Sequence, residues 1–199
     1  ILPYGKLTEF KSRLKNATIY ILAVSTTLFQ KSGEKMSDSW PEIRRKDRRL
    51  TDEESREVLR LGEYGILRTV TSKGNPYAVP LSYLYLNGRI YFHCATVGHK
   101  LESLKNNAQS CFTVVRNTLP VYDNSYSTYY ESVMAFGPTS EVVDKEKKYE
   151  VLYGLAEKYL PDHLEPAEET INKMIDRTGV YEIIVSHFTG KSKKRPKVS

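Results

Sequence analysis

Pro76-Tyr-Ala-Val-Pro-Leu-Ser-Tyr-Leu-Tyr-Leu-Asn-Gly-Arg-Ile-Tyr-Phe-His-Cys-Ala95 is the stretch on which the fold turns. Its first half, Pro76–Leu86, alternates, with Tyr77, Val79, Leu81, Tyr83 and Tyr85 on one face. That two-residue period is the mark of a half-buried strand. Asn87-Gly88 suits the positive φ angles of a tight hairpin turn, and Arg89–Ala95 returns as the paired strand. Upstream, Tyr64–Thr71 reads as another strand and Ser72–Asn75 as a turn. Before them, Thr51 and Glu54 form a capping box at the head of a helix whose apolar side is Val58, Leu59 and Leu61. Gly62 then offers a left-handed stop.

Downstream, Gly98–Asn107 reads as a short helix with Leu101 and Leu104 inward. Ser110–Asn117 and Tyr129–Val143 are further strands, separated by a loop that begins at Thr118-Leu-Pro120. Gly137-Pro138 inside the second implies a bulge or an edge. Asp144–Leu160 is an amphipathic helix stopped by Pro161, Ala167–Asp176 a second, and Thr178–Phe188 the last strand. This order predicts a mainly β fold with helices (α+β): a barrel capped by helices. No βαβ alternation with a Gly-rich phosphate loop supports a Rossmann domain.

Of 199 residues, 40% are hydrophobic and 27% charged, enough to bury a core. The net charge of +6 is unevenly placed. Residues 1–35 hold six Lys/Arg and two Asp/Glu, and residues 191–199 hold five Lys/Arg and no acid. The stretch between carries 19 basic against 22 acidic residues, so a nucleic-acid partner is not expected and the basic ends read as solvated. Cys94 and Cys111 are too few for a disulfide framework and read as reduced packing residues, consistent with a cytoplasmic protein. Ala17–Phe29 is too short and too hydroxylated to span a bilayer. Residues 1–35 read as a leader, an upstream segment or an N-terminal helix, residues 36–190 as the folded domain, and 191–199 as a flexible tail.

Three passages carry a family likeness. They are Tyr64–Val70 with Pro76–Tyr83, then Gly88–Ala95 with Gly98-His-Lys-Leu101. The third is Tyr130–Gly137 with Thr178-Gly-Val-Tyr181 and Phe188-Thr-Gly-Lys191. Together they resemble the pyridoxamine 5′-phosphate oxidase-like flavoproteins, and within them the 5-nitroimidazole resistance (Nim-type) branch, across roughly Arg44 to Lys191. The resemblance implies a six-stranded split β-barrel that forms a homodimer with FMN at the subunit interface. It also implies hydride drawn from NADH or NADPH and electrons passed to a small nitro-aromatic or related acceptor; a pyridoxamine 5′-phosphate oxidase-type or general flavin oxidoreductase and a non-catalytic flavin-binding protein are the alternatives. Tyr83, Tyr85, Tyr129, Tyr130, Val133 and Phe136 fit such a dimer, as more apolar surface than one small barrel needs.

A flavin phosphate wants cations, hydroxyls and free amides. Gly98-His99-Lys100 opens a helix, where the dipole favours an anion, and Lys100 adds a charge; an ordinary exposed lysine is the competing reading. Arg68 and Thr69 offer a second cation and a hydroxyl, Arg68 from inside an apolar strand where a charge needs a partner. Val79, Pro80, Leu81 and Ser82 offer an apolar wall and an open backbone edge for the ring. Cys94 and Ala95 continue the strand expected beside the flavin, and Phe188 and Lys191 are candidates to close the site from the partner subunit. His93 is the candidate catalytic group, able to exchange a proton near neutral pH; a packing histidine bonded to backbone is the alternative. No zinc motif, P-loop or nucleophile elbow competes.

Overall fold

The computed structural model describes residues 43–122, 124 and 126–195. The expected leader, 1–35, and the last four residues of the expected tail lie outside them. The capping box forms: the Glu54 amide donates to Thr51 Oγ1 at 3.2 Å and the Thr51 amide to Glu54 Oε2 at 2.8 Å, opening α1 (Asp52–Leu61). Gly62 ends α1 for a reason other than the expected left-handed stop. Its φ is −64°, but a Cβ there would lie 2.3 Å from Val114 Cγ1 and 2.6 Å from Tyr83 Oη. Close packing demands the glycine.

Among the described residues eight strands build the sheet, two more than expected. They are β1 (Gly65–Val70), β2 (Pro76–Leu81), β3 (Leu84–Leu86), β4 (Arg89–Cys94), β5 (Gln109–Tyr122), β6 (Tyr126–Glu141), β7 (Gly179–Ile184) and β8 (His187–Lys193). All pairings are antiparallel, in the order β2-β1-β5-β6-β7-β4-β3, with β8 also on β6. The two extra strands come from breaks. Pro76–Leu86 is not continuous: β2 pairs with β1 and β3 with β4, so the chain leaves one ladder and enters another at Ser82-Tyr83. The expected final strand likewise parts at Val185-Ser186, β7 lying on β4 and β8 on β6. Because β2 and β3 end the strand path yet follow each other in sequence, the barrel is split at Ser82-Tyr83.

The Asn87-Gly88 hairpin has the expected positive φ angles, 51° and 75°. The expected loop at Thr118 is instead the continuation of β5. The register shifts between Arg116 and Leu119, and Asn117 takes φ 53° there, a geometry that asparagine tolerates. At Gly137-Pro138 the ladder to β5 continues, but the neighbour on the other side of β6 changes from β8 to β7. A side chain at Gly137 would strike the Ile184 carbonyl at 1.9 Å, so the backbones approach where only glycine fits.

Among the described residues, four α-helices accompany the sheet: α1, α2 (His99–Asn106), α3 (Lys145–Tyr159) and α4 (Leu164–Met174). Asp144 caps α3, its carboxylate accepting from the Lys147 amide at 2.7 Å. The barrel core is Leu59, Leu67, Phe92, Phe112, Val114 and Ile183 with their neighbours; a second cluster under α3 joins Tyr91, Val142, Val151, Leu155 and Val180. Tyr83 and Val133 are fully buried within this one chain, so they are not surplus surface awaiting a partner.

Tyr83 bridges the break. Its amide donates to Tyr159 Oη at 2.9 Å, the same hydroxyl donates to the Tyr83 carbonyl at 3.1 Å, and Lys158 Nζ donates to that carbonyl at 3.1 Å. Lys158 Nζ also lies 3.8 Å from the Tyr83 ring centroid. The Tyr83 hydroxyl donates to the Leu59 carbonyl at 2.6 Å.

The tail begins later than expected. Ser192 is buried and Lys193 still pairs with Tyr130 in the β6 ladder. Lys194 forms an ion pair with Glu54, the capping carboxylate of α1. Ending the chain at Lys191 should therefore destabilise the fold by about 1–2 kcal/mol, a fall of several degrees in Tm; an unchanged Tm would refute the docking of Ser192–Lys194.

Lys158 yields a pH prediction. Burial holds its pKa at about 8, well below the ordinary lysine value, although the ring beneath it favours the cation. The unfolded chain keeps this lysine protonated to about pH 10.4. Between those values the unfolded state binds the extra proton, so stability rises with pH. At this half-exposed position the gain should be about 1 kcal/mol after screening by solvent. Thermal melts of the wild type and Lys158→Met from pH 7 to 10 should show the gain in the wild type alone; parallel curves would count against it.

Candidate functional site

Two local features place the chemistry. The β2–β3 break presents Ser82 to the helical side, and the loop after β4 turns through Gly98, at φ 134°, into the first turn of α2. Lys100 in that turn sits with its Nζ 5.4 Å from the Phe92 ring centroid. Its charge is felt by both His93 and Cys94. Burial is the main cause lowering the His93 pKa, with Lys100 second. The imidazole is open to solvent on one side, yet the protein packed around it disfavours the cation, so it is neutral at pH 7. Cys94 is half-buried against the core; burial raises its pKa and outweighs the pull of Lys100. It is therefore a thiol at neutral pH.

Thr69 belongs with this group. It is 4% exposed and faces inward on β1, against which α2 packs; its Oγ1 is buried with no hydrogen-bond partner. A buried hydroxyl without a partner costs about 1–3 kcal/mol. Tyr77, across from Thr69 on β2, meets the His99 ring edge-on at 4.8 Å. His99 lies 3.6 Å from Glu102. Val79 and Leu81 pack on the core and Pro80 points away from it; among the described residues β2 pairs with β1 alone, which leaves its other edge open to them. Ala95 is exposed in the loop leading to Gly98.

Arg68, Phe188 and Lys191 are placed elsewhere. Arg68 is exposed on the outer face of β1, opposite Ala78 and Cys111, and does not lie in an apolar interior as expected. Alternation along the strand turns Thr69 inward and Arg68 outward. Phe188 packs on this chain's own core with the Arg56 guanidinium 5.5 Å from its ring centroid. Lys191 stands on β8 opposite Ser132 and bridges to Arg49.

Beside His93 lies a cleft of about 450 Å³ between the sheet and the α3–α4 pair. Its sheet wall is Ser82 and His93; its helical wall includes Leu152, Ala156, Tyr159 and His163. Tyr159, Lys158 and His163 were not legible as site residues. The spacing of Leu152, Ala156 and Tyr159 signals only an amphipathic helix, and His163 stands in a turn that nothing local links to His93.

The group can hold a planar molecule that bears an anion. Lys100 and the His99 and Lys100 amides that open α2 suit a phosphate, the next two amides, of Leu101 and Glu102, being already donated to the Gly98 carbonyl; the Thr69 hydroxyl lacks the partner that such a ligand would provide. A flavin mononucleotide fits this donor set.

The pyridoxamine 5′-phosphate oxidase family model matches residues 51–192. No curated protein matches the chain. Among solved structures the chain is similar to a proposed 5-nitroimidazole antibiotic resistance protein from Bacteroides thetaiotaomicron, at 26% identity and TM-score 0.62, covering 72% of this chain and 86% of that one. It is also similar to the flavocytochrome Anf3 from Azotobacter vinelandii (20% identity, TM-score 0.68, covering 82% and 77%). A third is the FAD and heme binding protein from Mycobacterium smegmatis (18%, TM-score 0.61, covering 75% of each). The latter two likenesses concern the fold. The matched segment runs from the cap of α1 into β8 and includes every strand that frames Lys100 and His93: the chain belongs to the pyridoxamine 5′-phosphate oxidase family.

Proposed function

We propose that this protein is an FMN-dependent reductase, working as a homodimer in the cytoplasm, that draws on NADH or NADPH to reduce a small nitro-aromatic or related acceptor. The observation that carries the reading is the meeting of Lys100, at the open end of α2, with a neutral His93 across the end of β4. The family supports a flavin, the Anf3 and Mycobacterium smegmatis neighbours are described as flavin proteins, and the Bacteroides neighbour suggests the class of acceptor.

When bound, FMN supplies the redox chemistry, accepting a hydride and passing on two electrons. The chain's own residues do the rest. Lys100 and the amides that open α2 would hold the phosphate, and Thr69 Oγ1 would gain the partner it lacks. The backbone at Pro80–Ser82 would bind the ring. His93 delivers or takes a proton at an imidazole nitrogen beside the acceptor. Reduction of a nitro group to nitroso consumes two electrons and two protons and releases one water. The nicotinamide hydride accounts for both electrons and one proton, and the second proton passes by way of His93. Oxidation of pyridoxamine 5′-phosphate is disfavoured, because among the described residues the cleft beside His93 has no lysine or arginine in its lining to meet a substrate phosphate.

Lys100→Ala should weaken FMN binding roughly ten- to a hundredfold, as expected for losing a charge-assisted contact. Fluorescence titration of free flavin measures it, and an unchanged dissociation constant would show that the phosphate lies elsewhere. His93→Ala should slow nitro-aromatic reduction by roughly 10²–10⁴-fold while flavin absorbance and Tm hold. Full turnover in a flavin-loaded His93→Ala protein would end the proton-transfer role; joint loss of flavin and stability would mark His93 as a packing residue.

A further inference from the structure

The cleft beside His93 is more selective than the proposed chemistry requires. Its helical wall is made by one face of α3, one face of α4 and the turn between them, with Leu152, Ala156, Ala167 and Ile171 supplying carbon surface. The hydroxyls in that wall are already engaged. Tyr159 Oη is bonded to both backbone groups of Tyr83, and Thr170 Oγ1 donates to the Pro166 carbonyl at 2.9 Å. Among the described residues no Asp, Glu, Lys or Arg lines the cleft. Two imidazoles remain, His93 from the sheet and His163 from the turn, and neither side chain hydrogen-bonds within the described residues. Lys100, the cation felt at His93, stands outside the lining, so an ion placed here finds no charged side chain in contact with it among the described residues. A neutral molecule would bury apolar area and find two groups to donate to or accept from. The volume, about 450 Å³, falls in the range of small-molecule sites and exceeds the needs of a single small ring.

We propose that this cleft binds a neutral molecule with an apolar body and one hydrogen-bonding end, the end at His93 and the body against α3 and α4. In the reductase reading, on which this part of the inference rests, that molecule is the acceptor, and its non-reacting part is chosen by the α3–α4 wall. Binding makes and breaks no covalent bond, so it can be measured apart from turnover.

The test is equilibrium dialysis of 4-butylaniline, neutral at pH 7.5 and without a reducible nitro group, against the purified protein with its bound flavin. The anionic 4-aminobenzenesulfonate is the comparison. Thr170 is exposed at the cleft rim, so Thr170→Trp narrows the cleft without touching the core. It should weaken 4-butylaniline binding at least tenfold while flavin absorbance and Tm stay unchanged. Ala156→Leu, from the opposite helix, should reproduce the loss if the first variant folds poorly. Glu169→Trp, of equal bulk but outside the cleft lining, should bind as the wild type does. Absence of wild-type binding, equal binding by both narrowed variants, or tighter binding of the sulfonate overturns the proposal. Protein that carries no flavin yet binds 4-butylaniline, and loses it in Thr170→Trp, upholds the cleft and removes the reductase reading.

Discussion

The structure depends on how Tyr83 satisfies its backbone where the sheet splits. A strand that leaves one ladder for another exposes an amide and a carbonyl at the crossing, and burying them unpaired would be costly. Here a single hydroxyl, Tyr159 Oη, serves both, and Lys158 adds a second donor to the carbonyl. The Tyr83 side chain runs the other way, its hydroxyl on the Leu59 carbonyl of α1 and its ring edge-on to Phe112 at 5.0 Å. One residue thus ties α1, α3 and β5 to the break, and Gly62 lacks a side chain so that the hydroxyl can pass. Burial raises the Tyr83 pKa and keeps the phenol neutral, as this donor role requires.

The site inherits its shape from that crossing. Ser82 is held beside Tyr159 because its neighbour is pinned there, and β4 follows β3 through the Asn87-Gly88 turn. Successive residues of β4 then divide the work. Phe92 and Cys94 look into the barrel core, where Lys100 crosses the Phe92 ring. His93, between them, looks toward α3 and α4. A cation and a neutral imidazole therefore flank the end of one strand. The cationic side suits a phosphate, and the apolar cleft on the other side suits an uncharged molecule.

Much of this was legible from local chemistry. The capping box, the Asn-Gly hairpin, the short helix after Gly98 and the β periodicity each rest on a few neighbouring residues, and all appear in the structure. Lys100 and His93 fall within one strand–loop–helix passage, so their nearness follows from local chain path. What failed had a tertiary cause. Pro76–Leu86 alternates without interruption, so nothing local marks the break at Ser82; only the identity of the strands on either side does. Thr118-Leu-Pro120 looks like a loop until β6 is laid beside it with Asn117 absorbing the register shift. Arg68 and Thr69 are adjacent in sequence, and the choice of which faces inward was made by the pleat and the core behind Leu67.

The sequence by itself determined the class of the fold, the positions of most elements and the residue types able to meet a flavin. Periodicity, capping and turn geometry act over one to eight residues and need no distant partner. Only the tertiary structure decided that eight strands rather than six form among the described residues, that Ser192–Lys194 belong to the fold, that Tyr159 and His163 meet Ser82 and His93, and that Lys158 reaches Tyr83. Those outcomes depend on contacts between residues about 70 to 140 positions apart, such as Lys194 with Glu54 and Tyr159 with Tyr83. Which of many chemically equivalent hydroxyls or amines reaches a given carbonyl is set by backbone paths that local pattern does not encode.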